Sequence, residues 1–245
     1  MFDNIIEFSS QESIIENKKI NPIPCKLNIP KWFKELKHDP LKKTIKGCVP
    51  FLETLTTGYL LKTATDIHIK HNVIQGNEKI SDLSTSLQGN NLNLNNYNDI
   101  EAHDVSQLGK CPFIQKNKNL PFQKILNPWK IKTPPGYSCF FLPPLNNADD
   151  RFSIIPGIVD TDNFTGHINF PIIMNGDKYP ILETTIEMGT SYVQVIPFKK
   201  ESWIMKIGKD NIKDSIKDNI KFFYKLQQKI IHSYKTTWWN KKTWK

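Results

Sequence analysis

The sequence predicts a mainly β protein of the α+β kind, a compact barrel preceded by a mixed α/β segment and followed by a long amphipathic helix. Three observations carry this. Between residues 125 and 208, "NPWKIKTPPGYSCFFLPPL", "FSIIPGIVD", "GHINFPIIMN" and "SYVQVIPF" are short apolar segments split by Pro, Gly, Asn and Asp. Segments of that length and spacing build a barrel or sandwich, whereas a parallel α/β sheet needs intervening helices. Pro134, Pro135, Pro143, Pro144, Pro156, Pro171 and Pro197 fall among them, and a residue without an N–H belongs at strand ends or edges. Towards the C-terminus, apolar residues recur in steps of three and four at Ile212, Ile216, Ile220, Phe223, Leu226, Ile230 and Tyr234. Those steps make one stripe on a helix, with lysines opposite.

The elements follow in order. Residues 1–75 mix short helices and strands. "IPKWFKELK" sets Ile29, Trp32, Phe33 and Leu36 at helical spacing after Pro30, whose fixed φ suits a helix start. "CVPFLETLTTGYLL" predicts a short helix ending near Gly58, and "YLLKTATDIHIKH" then alternates like a strand. On that strand Asp66, His68 and His71 predict a polar face turned to water; the competing reading is a metal site, with His68 and Asp66 on one face. Residues 76–124 are rich in Asn, Ser and Gly and predict a connecting region with little to bury. His103–Asp104 at its end reads as a surface or capping pair. Residues 125–208 form the barrel, and 209–245 the helix and the tail "TTWWNKKTWK". Tryptophans are mostly buried in proteins, so docking of these rings on the protein itself is favoured over a base-stacking platform.

Bulk properties exclude several classes. At 245 residues the chain can bury a real core. No apolar run approaches the ~18 residues of a membrane span, so no membrane association is expected. The opening residues lack a basic stretch followed by an apolar block, which predicts a cytoplasmic protein. Cys25, Cys48, Cys111 and Cys139 are scattered without a C-x-x-C pair; buried thiols are expected rather than disulfides or structural zinc. The net charge of +9 favours anionic partners. Yet Arg151 is the only arginine, and readers of phosphates and bases lean on arginine's bidentate fork. Non-specific attraction to nucleic acid is therefore expected, and specific recognition is not.

The stretch "GIVDTDNFTGHINF", Gly157–Phe170, places Asp160 and Asp162 between two glycines and two strand-like runs. Two readings stand side by side: a β-turn whose carboxylates accept backbone N–H groups, or a carboxylate that activates water against a bound ligand. Arg151 is likewise either a surface partner of Asp149 or Asp150, or a bidentate ligand contact.

In ordered blocks, "TPPGYSCFFLPP", "GIVDTDNFTGHI" and "IEMGTSYVQVIPF" resemble the core of the dUTPase and dCTP-deaminase superfamily, the β-clip fold. The resemblance implies a β-clip-like barrel over 125–208 and often a trimer. It implies that Asp160 orients an attacking water, with Asp162 as its metal or structural partner. Gly157 and Gly166 would bracket the turn through positive φ and close backbone approach, and Tyr137 and Asn169 would lie near a nucleotide pocket. Mg²⁺ would accompany a nucleotide hydrolase. The family's phosphate-gripping Arg-Ser pair is replaced by Leu145, Asn146 and Asn147, its strand glutamate by Phe170 and Pro171, and its Gly-rich arm by the long helix. Over most of the chain, "IPKWFKEL", "GCVPFLETLTTGYL", "TPPGYSC" and "VQVIPFK" also resemble a family of T4-like phages of marine bacteria with bacterial relatives. That likeness implies an accessory protein of the host cytoplasm.

Three functions follow. The first is a binding or assembly protein, for a nucleotide or other small anion or for further copies of itself, with the phosphate-handling groups lost. The second is a dNTP diphosphohydrolase or deaminase using Asp160. The third is a cupin-like metal protein, which needs ligands converging from His68, His103, Asp104 and His167.

Overall fold

The computed structural model describes residues 4–37, 44–73, 84–89, 100–103, 105–113, 116, 122–209, 216–221, 223, 234–235 and 239–245. Among them the chain is mainly β, with fourteen strands in antiparallel sheets, three short α-helices in the N-terminal region and helical residues at 216–221 and 223. A five-stranded sheet runs in the order β11 (Gly157–Val159), β9 (Tyr137–Leu142), β14 (Ser191–Lys199), β3 (Tyr59–Lys62), β2 (Ile23–Pro24). A four-stranded sheet has the order β10 (Phe152–Ile154), β12 (Phe170–Met174), β7 (Phe122–Ile125), β6 (Ile100–His103). Three strands, β13 (Ile181–Ile186), β4 (Ile67–Asn72) and β5 (Ser84–Gly89), form a third sheet, and β1 (Glu7–Ser9) pairs with β8 (Lys130–Lys132). The helices α1 (Glu12–Glu16), α2 (Lys31–Glu35) and α3 (Val49–Thr56) lie in the N-terminal region.

The core forms where the sheets turn their apolar faces together. Leu61, Phe141, Val193 and Val195 come from the five-stranded sheet, Ile125, Ile154, Phe170, Ile172 and Met174 from the four-stranded one, and Ile67, Ile69 and Ile186 from the third. Period-two alternation does the sorting: along β9, Cys139 and Phe141 are buried while Phe140 between them is exposed. Each such side chain contributes roughly 1.5–3 kcal/mol when fully buried.

The prolines sit where the ladder does not need them. Pro197 lies in an interior strand, but β3 pairs with β14 only as far as Val195, so one side of Pro197 is already free of a neighbour. Pro171 still accepts the Ile155 N–H through its carbonyl, at 2.8 Å.

Three expectations change. The run after Gly58 is two strands, not one. Between β3 and β4 the chain breaks to hold the β13–β14 turn: Thr63 donates to the Glu187 carbonyl at 2.9 Å and Asp66 accepts the Met188 N–H at 2.7 Å. His71 does not face water. It shares the odd-numbered face of β4 with Ile67 and Ile69, is buried, and donates through Nε2 to the Tyr179 carbonyl at 2.7 Å. The connecting region 76–124 supplies strands β5 and β6 as well, because a backbone ladder needs no apolar run; the remainder of its Asn-rich stretch lies outside the described residues.

Two of the four cysteines, Cys25 and Cys139, are buried, and all four are free thiols. Burial pushes the Cys25 thiol up to about 12 and the Cys139 thiol to about 11, which makes both inert at neutral pH.

Gly58 joins α3 to β3 at φ +76°, where a Cβ would run into the Val195 carbonyl. Gly136, at φ +83°, has open space around it. Gly58→Ala combines left-handed strain with a backbone clash, whereas Gly136→Ala carries the strain alone, on the order of 1–2 kcal/mol. In thermal melts of the two variants, Gly58→Ala is expected to show clearly the larger fall in Tm.

Candidate functional site

The two aspartates sit on the turn from β11 towards β12, at the end of the five-stranded sheet. The Asp160 carbonyl accepts the N–H groups of Asn163 (3.0 Å) and Phe164 (2.9 Å), which closes the turn. Beneath it, Thr161 is fully buried, shares a 2.7 Å hydrogen bond with Thr133 and lies 3.3 Å from Cys139 Sγ. Thr133 also donates to the Tyr137 carbonyl at 3.2 Å. These hydroxyls stitch the turn to the β8–β9 connection.

The aspartates themselves differ. The side chain of Asp162 is 6% exposed and fully engaged: Lys200 Nζ donates to Oδ1 at 2.9 Å and lies 2.8 Å from Oδ2, while Gly136 N–H donates to Oδ2 at 2.8 Å. The Lys200 hydrogen bond holds the Asp162 carboxyl below its ordinary value of 3.8, against an opposing effect of burial and with further help from Gly136. The same bond raises the Lys200 ammonium above its ordinary range. The side chain of Asp160 is 62% exposed. Ser138 Oγ donates to its Oδ1 at 2.6 Å, and its Oδ2 stays 3.9 Å from Lys200 Nζ.

Other expected site residues have their own partners. Arg151 makes a bidentate pair with Asp149 (Nη2–Oδ2 2.6 Å, Nε–Oδ1 3.0 Å) and reaches Thr184 Oγ1 at 2.8 Å. It thereby ties the start of β10 to β13. Asn169 accepts the Asn127 N–H at 3.0 Å. Tyr137 opens β9 opposite Lys199, half-buried, beside Gly136 and Ser138. Neither Gly157 nor Gly166 has positive φ, which corrects the conformational reason expected for them. Gly166 instead admits the Phe164 ring, which a Cβ would meet at 3.0 Å, while Gly157 has open space on an edge strand. In the loop after β9, Leu145 N–H donates to Gln194 (2.8 Å) and Asn146 Nδ2 to Thr54 (2.6 Å), so this loop secures α3.

Ser138 and Lys200, the two side chains that hold the aspartates, were not predicted. Ser138 lies in an apolar run, and Lys200 is one of many lysines. Only the β9–β14 register, which continues through the Lys200 N–H to Gly136 carbonyl bond at 2.8 Å, brings them together.

A cleft of about 370 Å³ opens between the β1–α1 segment and the β8 region, lined by Ser9, Gln11, Ile14, Pro128, Lys130 and His167. Burial and then the Lys130 charge push the His167 imidazole below its ordinary value. Neither location suits a resident divalent metal: the Lys200 ammonium occupies the space a cation between the acids would need. His68 hydrogen-bonds Thr185 on β13 at 2.8 Å while His167 lines the cleft, and no group of three ligating side chains forms among the described residues. Of the remaining residues in that expectation, Asp104 lies outside the described ones. No helix among the described residues is long and apolar enough to cross a membrane.

Because the folded-state pKa of Asp162 lies below its unfolded value, its contribution is fully present above roughly pH 4 and is lost as pH falls through the folded pKa. Asp162→Asn is therefore expected to be less stable at neutral pH and to show a flatter acid limb below roughly pH 4. Urea midpoints measured from acid to neutral pH check this; superimposable acid limbs would remove the lock from the account. Arg151→Ala should cost on the order of 2 kcal/mol, since it strands a largely buried Asp149. That loss would lower Tm by several degrees in calorimetry.

No family model matches the chain, and no curated relative matches it. Among solved structures the chain is similar to the native dUTPase of EIAV, at 15% identity and a TM-score of 0.33, over 63% of this chain and 85% of that one.

Proposed function

We propose that this protein is a binding and assembly protein, an accessory factor of the phage type, whose paired acids serve structure rather than catalysis. The observation that carries the reading is the state of Asp162. Its side chain is 6% exposed and already holds Lys200 and Gly136, so little of it is presented to a metal or a substrate. Arg151 is spent in the same way on Asp149 and Thr184. The loop where the resembling enzymes carry phosphate-gripping residues holds α3 in place. Positioning of charge dominates phosphoryl transfer, so a site without free cations in place lacks the larger part of that catalysis.

The binding half of the reading points to the cleft. Lys130 supplies positive charge, His167 gains a proton more readily beside an anion, Ser9 and Gln11 offer hydrogen bonds, and Ile14 and Pro128 form an apolar wall. This combination fits a small anion with an apolar part, a nucleotide among them. In thermal-shift measurements, deoxynucleoside monophosphates are expected to raise Tm of the wild type and to lose that effect in Lys130→Met. An unmoved Tm across the series would withdraw the cleft as a ligand site.

A second reading, a nucleotide-processing enzyme, draws on Asp160. One oxygen is fixed by Ser138, and the other is open to solvent near a lysine, an arrangement that can orient a water as general base. Any Mg²⁺ would then arrive with the triphosphate as part of the substrate. The deciding experiment incubates each deoxynucleoside triphosphate and Mg²⁺ with wild type and with Asp160→Asn. We expect no turnover above background from either; wild-type turnover abolished by Asp160→Asn would replace the first reading with the second.

A further inference from the structure

After β14 the chain leaves the sheet, and residues 201–209 run without regular structure. Within five residues of this arm, Trp203, Ile204, Met205 and Ile207 are between 85% and 96% exposed. Single exposed apolar residues are ordinary; four large ones this close together mark an interaction surface. The same chain carries a second unfilled feature. Strand β11 is the edge of the five-stranded sheet, paired only to β9 among the described residues. Its Ile158 is 57% exposed and stands opposite the exposed Phe140, whose ring centroid is 4.5 Å from that of Phe198. On the outer face of this sheet α3 covers the far end, where Gln194 donates to the Thr54 and Thr57 carbonyls. At the other end Ile158 and Phe140 stay exposed among the described residues.

We propose that these features are the two halves of one contact between copies of the chain. The arm of one copy lies along β11 and the Ile158–Phe140–Phe198 patch of a second copy. An extended segment adds readily to an open sheet edge, with backbone hydrogen bonds for affinity and side-chain pockets for register. The arm does not cover its own patch, since Lys200 at its root is fastened to Asp162 and Gly136, and the arm residues as well as Ile158 and Phe140 remain exposed, with Phe198 half-buried beside them. Charge agrees with the pairing: the arm carries Lys206 and Lys209, and the exposed Asp160 stands at the end of β11. Four such side chains cover on the order of 500 Å², so one docked arm removes roughly 1,000 Å² from both surfaces and two reciprocal arms roughly 2,000 Å². That reaches the ~1,200–2,000 Å² of a stable complex.

This inference rests on the assembly half of the reading above and names its partner. Its test reads mass rather than turnover or ligand-induced melting, so either can fail alone. Gel filtration with light scattering on the full chain is expected to give the wild type a multiple of 28.4 kDa. The triple variant Trp203→Ser, Ile204→Ser, Ile207→Ser should fall to a single-chain mass with an unchanged circular dichroism spectrum and a Tm that no longer rises with protein concentration. Ile158→Lys should do the same from the acceptor side. Mixing these two variants should restore a two-chain species, because the intact arm of one meets the intact patch of the other. A single-chain wild type, or an arm variant that keeps the wild-type mass, would overturn the proposal. So would a single-chain wild type that floats with anionic phospholipid vesicles, which would assign the arm to a lipid surface.

Discussion

Everything positioned in this molecule depends on the antiparallel register of β9 against β14. Six residue pairs, from Gln194 opposite Leu142 to Lys199 opposite Tyr137, fix which side chains enter the core and which stay on the outer face. A shift by one residue would exchange the two sets, turning Phe141 and Val195 outward and Phe140 inward. The same ladder carries Lys200 to Gly136, and so to Asp162. At the opposite end it presents Gln194, whose side-chain amide holds α3 by two carbonyls and whose oxygen accepts the Leu145 N–H. Core, hairpin lock and helix cover are three consequences of one pairing.

The hairpin shows how two neighbouring carboxylates are given different tasks. Asp162 is turned inward to an ammonium and a backbone N–H, and this geometry favours its charged form. Asp160 is anchored through one oxygen and left open at the other. Between them Thr161 belongs to a buried hydroxyl pair rather than to the surface. The turn is thus tied down at Asp162 and Thr161 and open at one oxygen of Asp160.

The C-terminal part of the chain divides in the same sense. Its last residues return to the body: Lys242 pairs with Glu53 at 3.0 Å, and the Trp244 ring meets Tyr59 edge-on at 5.9 Å. That is the docked tail expected from the sequence for this tryptophan. The helix is seen at residues 216–221 and 223, where Ile216, Ile220 and Phe223 are exposed. Much of the remaining periodic stretch lies outside the described residues. Between sheet and tail, Trp203, Ile204, Met205 and Ile207 stand exposed.

The sequence alone determined the mainly β character, the placement of α2 and α3, and the presence of short strands within residues 125–208. Those features arise from local periodicity and from the chemistry of proline and glycine, which a run of residues carries in itself. It also located the turn at Asp160 and Asp162. It could not tell that one acid would be locked and the other open, because the deciding groups, Ser138 and Lys200, arrive from strands distant in the chain. His71 was misjudged by its chemical type although strand parity already placed it with Ile67 and Ile69. For Arg151 the sequence offers both a pair with a neighbouring aspartate and a ligand contact; the Asp149 pair is the one formed, and Thr184 on β13 takes a further donor. Tertiary structure decided these matters because hydrogen-bond partners and burial are properties of sheet register and sheet packing, not of neighbouring residues.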